Sequence, residues 1–299
     1  MSGEMILAIR RSTQHSATHK SNDSLMFDLA CNQLRGRGFE VEVIEEDELA
    51  TYLDSASPRY VISMAQRPEN TALLTRVESG GGIIVNSFES ILNTYRVFLA
   101  LRLSDEKLFA QTRILTSLVE EDLEDFEEAA YVMHSKTLGE PFWLKRGDVH
   151  AAHPNDVLLV HDRGEFGQAL ANFRSRSVET AIVQEHLPGQ VVKFYAISGG
   201  RFFHTQDFLT GEPLEVSGGE FQQEADRIAA ILGLTIYGGD AVFTESGQFR
   251  FIDFNAWPSF GTVRDQAVPV MVDAILEAFS LGSDNEADSA RMETVGRSE

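Results

Sequence analysis

The 299-residue chain has a single cysteine, Cys31, and only eight prolines. One thiol rules out an intrachain disulfide and a cysteine-rich zinc site. Basic residues are also scarce: 25 Lys and Arg stand against 46 Asp and Glu, for a net charge of −21. That charge repels nucleic-acid backbones and anionic lipid, and no dense Lys/Arg block offsets it. Long apolar runs are missing. The stretch from Met5 to Ile9 is too short for a signal-peptide core, and nothing approaches the ~20 apolar residues of a membrane span. Neither nucleic acid nor a membrane is an expected partner, and the cytoplasm is the expected location. With no Pro-rich linker and no internal repeat, the expected subdomains pack against each other.

What is present describes a globular protein of enzyme size. Apolar residues make up 43%, including 20 Phe, too many for a disordered chain. The length suggests two or three subdomains. Short apolar runs at 5–9, 41–44, 60–63 and 83–85 alternate with helical stretches near 22–36 and 69–79. This alternation predicts a parallel Rossmann-like layer. Asn86-Ser87 is expected to cap a helix over about 88–102. An acidic helix near 121–137 comes next, then strands at 142–145, 157–160 and 181–183 around a helix near 163–174. A hairpin over 191–206 closes on Gly199-Gly200. A helix at 220–232, strands at 234–243 and 249–255 and a helix at 264–280 complete the ordered part. The acidic runs read as solvated surface, and the polar tail beyond 282 as disordered.

Two apolar strands each place a carboxylate where residues should be buried: Asp240 in Gly239-Asp240-Ala241-Val242, and Asp253 in Phe251-Ile252-Asp253-Phe254-Asn255. Alternation puts Asn255 on the face of Asp253. Burying an unpaired Asp costs several kcal/mol, so the pattern points to a metal more than to strand-end capping. Oxygen ligands alone suit Mg²⁺. Lys145 ends the strand Phe142-Trp143-Leu144 and enters a Gly147-containing loop that carries His150 and His153. It is suited to a phosphate, although a strand-end lysine often only snorkels. Lys193 repeats the pattern within Val191–Tyr195. The strand leading to Gln184, Glu185, His186 and Leu187 is broken by Pro188, which frees backbone groups for a flat heterocycle. Gly80-Gly81-Gly82 reads as a turn. No Walker run, nucleophile elbow, kinase catalytic loop or zinc-protease helix is present.

Lys145, Gln184-Glu185, Lys193, Asp240 and Asp253-x-Asn255, in this order, resemble the ATP-grasp superfamily over nearly the whole chain. The resemblance implies an α/β (α+β) chain with a Rossmann-like N-terminal domain (1–87), a linking helix and central lid (88–183) and a C-terminal antiparallel-sheet domain (184–282), followed by a disordered tail (283–299). It implies ATP with two Mg²⁺ ions as cofactors. Lys145 and Lys193 would contact phosphates, Gln184–Leu187 would hold adenine, and Asp240, Asp253 and Asn255 would hold the metal.

Two branches compete. Glutamate-adding ligases usually carry Glu at the position of Asp253 and an Asp-x-Arg near Lys193, and both are missing here. The inositol trisphosphate kinase branch is similar in Lys193-Phe194-Tyr195, in Asp253-x-Asn255 followed by Trp257-Pro258, in the loop His150, and in Arg96 as a phosphate contact. Against the kinase stands the acidity, since a polyphosphorylated acceptor needs a basic pocket. Arg10, Arg11, His19, Lys20 and Arg67 follow strands of the first domain and could supply one. Ser259 and Gly261, with His150, Arg11 and Arg67, are the expected acceptor contacts. The resemblance implies a carboxylate–amine ligase acting on a small-molecule or peptide acceptor. The alternatives are a hydroxyl-phosphorylating kinase and a non-catalytic ATP-binding protein.

Overall fold

The computed structural model describes residues 4–11, 20–116, 123–149, 153–216 and 219–295, with the side chains of 20–23, 123–125 and 281–295 left aside. The N-terminal layer runs β1 (Met5–Arg10), α1 (Lys20–Gly36), β2 (Glu40–Glu45), α2 (Leu49–Ser55), β3 (Tyr60–Ser63), α3 (Pro68–Ser79) and β4 (Ile83–Val85). Its sheet is parallel, in the order β2-β1-β3-β4. Ile6–Ile9 and Tyr60–Ser63 are buried throughout, as expected of central parallel strands covered on both faces. Strand order reverses between β1 and β3, so a crevice opens beyond their carboxyl ends, where Arg11 and Met64 lie.

One helix expected at 88–102 is two: α4 (Phe88–Leu92) and α5 (Arg96–Arg102). The break is tied down by side chains. Asn93 Nδ2 donates to Leu232 O and Tyr95 Oη to Gln66 O. Ser87 caps α4 by accepting from Ser90 N. Asn86 does not act as a cap. Its Oδ1 accepts from the amides of Thr235 and Ile236, and its Nδ2 donates to Ile236 O.

The central unit comprises β5 (Thr112–Leu115), α6 (Leu123–Leu138), β6 (Phe142–Arg146), β7 (Val157–Val160), α7 (Arg163–Ser175) and β8 (Ala181–Glu185), with an antiparallel sheet β5-β8-β6-β7. Phe142, Leu144, Ala181 and Val183 alternate onto one face and pack with Phe166, Leu170 and Phe173 of α7 in a core of their own. Their neighbours Trp143, Lys145, Ile182 and Gln184 therefore face the other way.

The C-terminal unit comprises β9 (Gln190–Ile197), β10 (Phe202–Asp207), α8 (Glu220–Leu232), β11 (Ile236–Phe243), β12 (Phe249–Ala256) and α9 (Arg264–Val295), with an antiparallel sheet β10-β9-β11-β12. α9 passes the expected stop at 280, because the polar segment beyond it contains helix formers such as Glu286, Ala287 and Met292. Phe194, Phe251 and Phe254 meet Phe221 of α8 or one another, with ring centroids 5.1–5.6 Å apart. This core is continuous with that of the N-terminal layer. Trp257 is one link: its indole packs edge-on against Phe27 and donates to Val85 O. No helix among the described residues is long and apolar enough to cross a membrane.

Candidate active site

The floor of the site is one face of the C-terminal sheet. Lys193 in β9 pairs with Asp240 in β11, which pairs with Asp253 in β12. Three functional side chains thus stand in one row across adjacent strands, with Gln206 of β10 beside Lys193. Pairing shifts just after Asp240, where Ala241 meets Phe251. This bulge returns Phe251 to the core while Asp253 stays on the cleft face, a common arrangement beside active sites. Gly239 permits the close approach: a Cβ there would lie 2.1 Å from Asp253 O and 2.7 Å from the Phe194 ring.

Lys193 Nζ is 3.6 Å from Asp240 Oδ1. That oxygen is buried and accepts no hydrogen bond. Burial and then the Asp253 charge raise the Asp240 pKa, with Lys193 and Lys145 opposing them. Asn255 Nδ2 lies 3.4 Å from Asp253 Oδ2. Among the described residues no three His, Cys, Asp or Glu side chains gather as a metal site, so the donor set is two carboxylates and one amide. A buried carboxylate oxygen without a hydrogen-bond partner, facing a second carboxylate, fits a hard cation that completes its shell with water and phosphate oxygens.

The roof is the inner face of the central sheet. Lys145 is 7% exposed, and its Nζ donates to Gln184 Oε1 at 2.6 Å. Gln184 Nε2 in turn reaches Thr112 Oγ1 and Ile252 O, so this side chain spans from roof to floor. Burial pushes the Lys145 pKa down to about 8. Arg96 adds to the depression, while Asp253 and Asp240 oppose it. Arg96, buried at the start of α5, donates to Arg146 O. Lys145, Lys193, Asp240, Asp253, Asn255 and Arg96 thus converge on one cleft.

The hinge departs from expectation at Glu185. β8 continues through Glu185, whose N–H is bonded to Gln111 O. Its carboxylate is held by Arg250 at 2.7 Å and by the Gln111 amide. Glu185 therefore ties β8 to the residue before β5 through its backbone and reaches the floor through its side chain, and its N–H is not open to a heterocycle. His186 lies beside Trp143, with ring centroids 6.1 Å apart. A cavity of about 270 Å³ opens at this end, lined by Lys107, Phe109, Thr112, Arg113 and Arg250 among others. Sequence reading missed Arg250, because the bulge breaks the two-residue alternation that relates it to Asp253.

On the far side, Arg11 reaches Met64 O and Trp257 O, each at 3.4 Å, bridging the switch-point crevice and the loop after β12. That loop is unusually bent: Trp257 and Phe260 have φ of 50° and 54°, and Gly261 has 44°. Phe260 stacks on Tyr195, and the Cβ position of Gly261 lies 3.5 Å from Tyr195 Oη. Ser259 sits within the same loop. Among the described residues, two of the cations expected in a basic pocket are paired elsewhere. Arg67 pairs with Asp47 and Glu69, and Arg10 with Asp28 and Glu45. His153 caps a short turn, accepting from Asn155 N. His150, His19 and the Lys20 side chain lie outside the described residues.

The architecture is similar to that of solved ATP-grasp ligases. The D-alanine–D-alanine ligase of Coxiella burnetii superposes with a TM-score of 0.73 at 14% identity, over 97% of this chain and 99% of that one. A RimK-domain ATP-grasp protein of Sphaerobacter thermophilus gives 0.66 at 20% identity, over 91% and 99%. The ATP-grasp ligase PsnB, solved with a minimal precursor, Mg and ADP, gives 0.61 at 17% identity, over 92% and 98%. No family model and no curated protein matches the sequence. The chain has the ATP-grasp fold.

Proposed function

We propose that this ATP-grasp chain is an ATP- and Mg²⁺-dependent ligase that joins a carboxylate to an amine. The observation that carries the reading is the buried Oδ1 of Asp240, which accepts no hydrogen bond, between Asp253 and Lys193 and beneath Lys145. Magnesium held by Asp240, Asp253 and Asn255 would neutralise the triphosphate. Lys145 and Lys193 bind its phosphates, Gln184 orients the Lys145 ammonium, and Arg96 adds positive charge at the same end. In the reaction class, a carboxylate oxygen attacks the γ-phosphorus and ADP departs. The amine nitrogen then attacks the acyl carbon, inorganic phosphate leaves, and the amine's surplus proton passes to solvent. The chain's part is positioning and charge stabilisation. The central unit closes over the cleft and keeps water from the acylphosphate.

The ligase reading is favoured over a polyol kinase by the fate of the N-terminal cations. Arg10 and Arg67 are neutralised by four carboxylates, so neither is available to the several phosphates of a polyphosphorylated acceptor. The PsnB structures with peptide precursors extend the plausible acceptors from small acids to peptides.

The test is coupled turnover with ATP, Mg²⁺ and a matrix of acids, peptides and amines. A ligase releases inorganic phosphate and forms an amide only when acid and amine are both present. ADP appearing with a phosphorylated hydroxyl compound would replace this reading by the kinase.

A further inference from the structure

Phe208 directly follows β10 and is 47% exposed, one of the few large apolar side chains left at the surface. Its N–H is bonded to Val191 O at 3.0 Å, and alternation from Gln206 places its ring on the cleft face. The turn that presents it is built on Asp207. The Asp207 carboxylate accepts from the amides of Leu209 and Thr210 and from Gln190 Nε2, at 2.7–2.9 Å. The ring is thus a fixed feature of the cleft wall.

Lys193 Nζ sits 5.2 Å from the centroid of this ring, within cation–π range. On its other side the ammonium is 3.6 Å from Asp240 Oδ1, longer than a hydrogen bond. A flexible lysine beside a buried carboxylate normally closes that gap, because both groups gain from the contact. Here the two stay at ion-pair distance, and the buried carboxylate oxygen has no hydrogen-bond partner.

We infer that Phe208 is a positioning residue: its ring face holds the Lys193 ammonium at ion-pair rather than hydrogen-bond distance from Asp240, which keeps Asp240 Oδ1 open to a divalent cation and the ammonium open to a phosphate. This rests on the reading of the cleft as a Mg²⁺–ATP site. Without the aromatic face, Lys193 would settle on Asp240, and one contact would occupy both the metal ligand and the phosphate ligand.

The experiment measures binding of the non-hydrolysable analogue AMPPNP, with Mg²⁺, to the full chain by calorimetry. It compares wild type, Phe208→Leu and Phe208→Trp. Leu keeps apolar bulk without a π face, and Trp restores one. Phe208→Leu should weaken Mg²⁺–AMPPNP binding about three- to tenfold and raise the Mg²⁺ concentration needed for half-saturation, whereas Phe208→Trp stays within about twofold of wild type. In the Lys193→Met background, Phe208→Leu should have no further effect. Unchanged binding in Phe208→Leu overturns the inference. So does equal loss in the Leu and Trp variants, or an undiminished Phe208→Leu effect without Lys193. Failure of the wild type itself to bind AMPPNP removes the nucleotide reading and the inference together, and that outcome is distinct from the others.

Discussion

The Lys145 ammonium, 2.6 Å from Gln184 Oε1, has no direct carboxylate contact among the described residues; its hydrogen-bond partner is a neutral amide. Burial without a counterion explains why its pKa falls to about 8 from 10.5. A triphosphate would provide that counterion and drive the pKa back up. Binding of Mg²⁺–AMPPNP near pH 8 should therefore be accompanied by proton uptake, seen as a dependence of calorimetric enthalpy on buffer ionisation. Lys145→Met should abolish the uptake and weaken binding. Uptake that survives in Lys145→Met would assign the proton elsewhere.

The same shift has a consequence for the nucleotide-free chain. A lysine with a depressed folded pKa destabilises the fold when protonated. That cost is full below pH 8 and fades as pH rises towards 10.5, where the unfolded lysine also loses its proton. Between pH 8 and 10, stability relative to Lys145→Met should rise. Urea unfolding of the two proteins across this window measures the difference, and a constant gap would contradict the assigned burial.

Asp253→Ala should abolish ATP turnover and leave the far-ultraviolet spectrum and unfolding cooperativity intact. Asp240→Asn should do the same while leaving metal-free stability unchanged or higher, because an amide removes a buried charge that lacks a hydrogen-bond partner. Wild-type turnover in either variant would displace the metal site from these strands.

Glu185 and Arg250 latch the central unit to the C-terminal sheet through a partly buried ion pair. A double-mutant cycle with Glu185→Gln and Arg250→Met should give a coupling of about 1 kcal/mol in AMPPNP binding. Zero coupling would mean that the pair does not set the closure of the hinge.

Asn86 makes three hydrogen bonds at the start of β11, two of them buried. Asn86→Ala should cost about 2–4 kcal/mol of unfolding free energy, since it strands buried backbone groups. Turnover per folded molecule should change little, because the side chain faces the domain junction and not the cleft.

Local chemistry made much of this legible in one dimension. β3, β4 and α8 fall at the positions the sequence predicts, because short apolar runs and 3.6-residue periodicity depend only on near neighbours. Asp253 and Asn255 share a face through strand alternation alone. The pairing of Asp240 with Lys193 and Asp253, by contrast, is a matter of antiparallel register across three strands, and the bulge after Asp240 breaks the pattern that would have revealed Arg250.

The scarcity of cations shows the same division. Composition alone argued against a nucleic-acid partner, and the order of Lys145, Lys193, Asp240 and Asp253 pointed to the fold. Whether the remaining basic residues converge on a polyphosphate was beyond the sequence, since each arginine's partner is set by packing. The tertiary structure pairs Arg10 with Asp28 and Glu45 and Arg67 with Asp47 and Glu69, consuming them at the surface. It buries Lys145 beside an amide and stands Lys193 between a carboxylate and an aromatic ring. Charge is a property of composition, but its availability depends on which opposite charges the fold brings within reach.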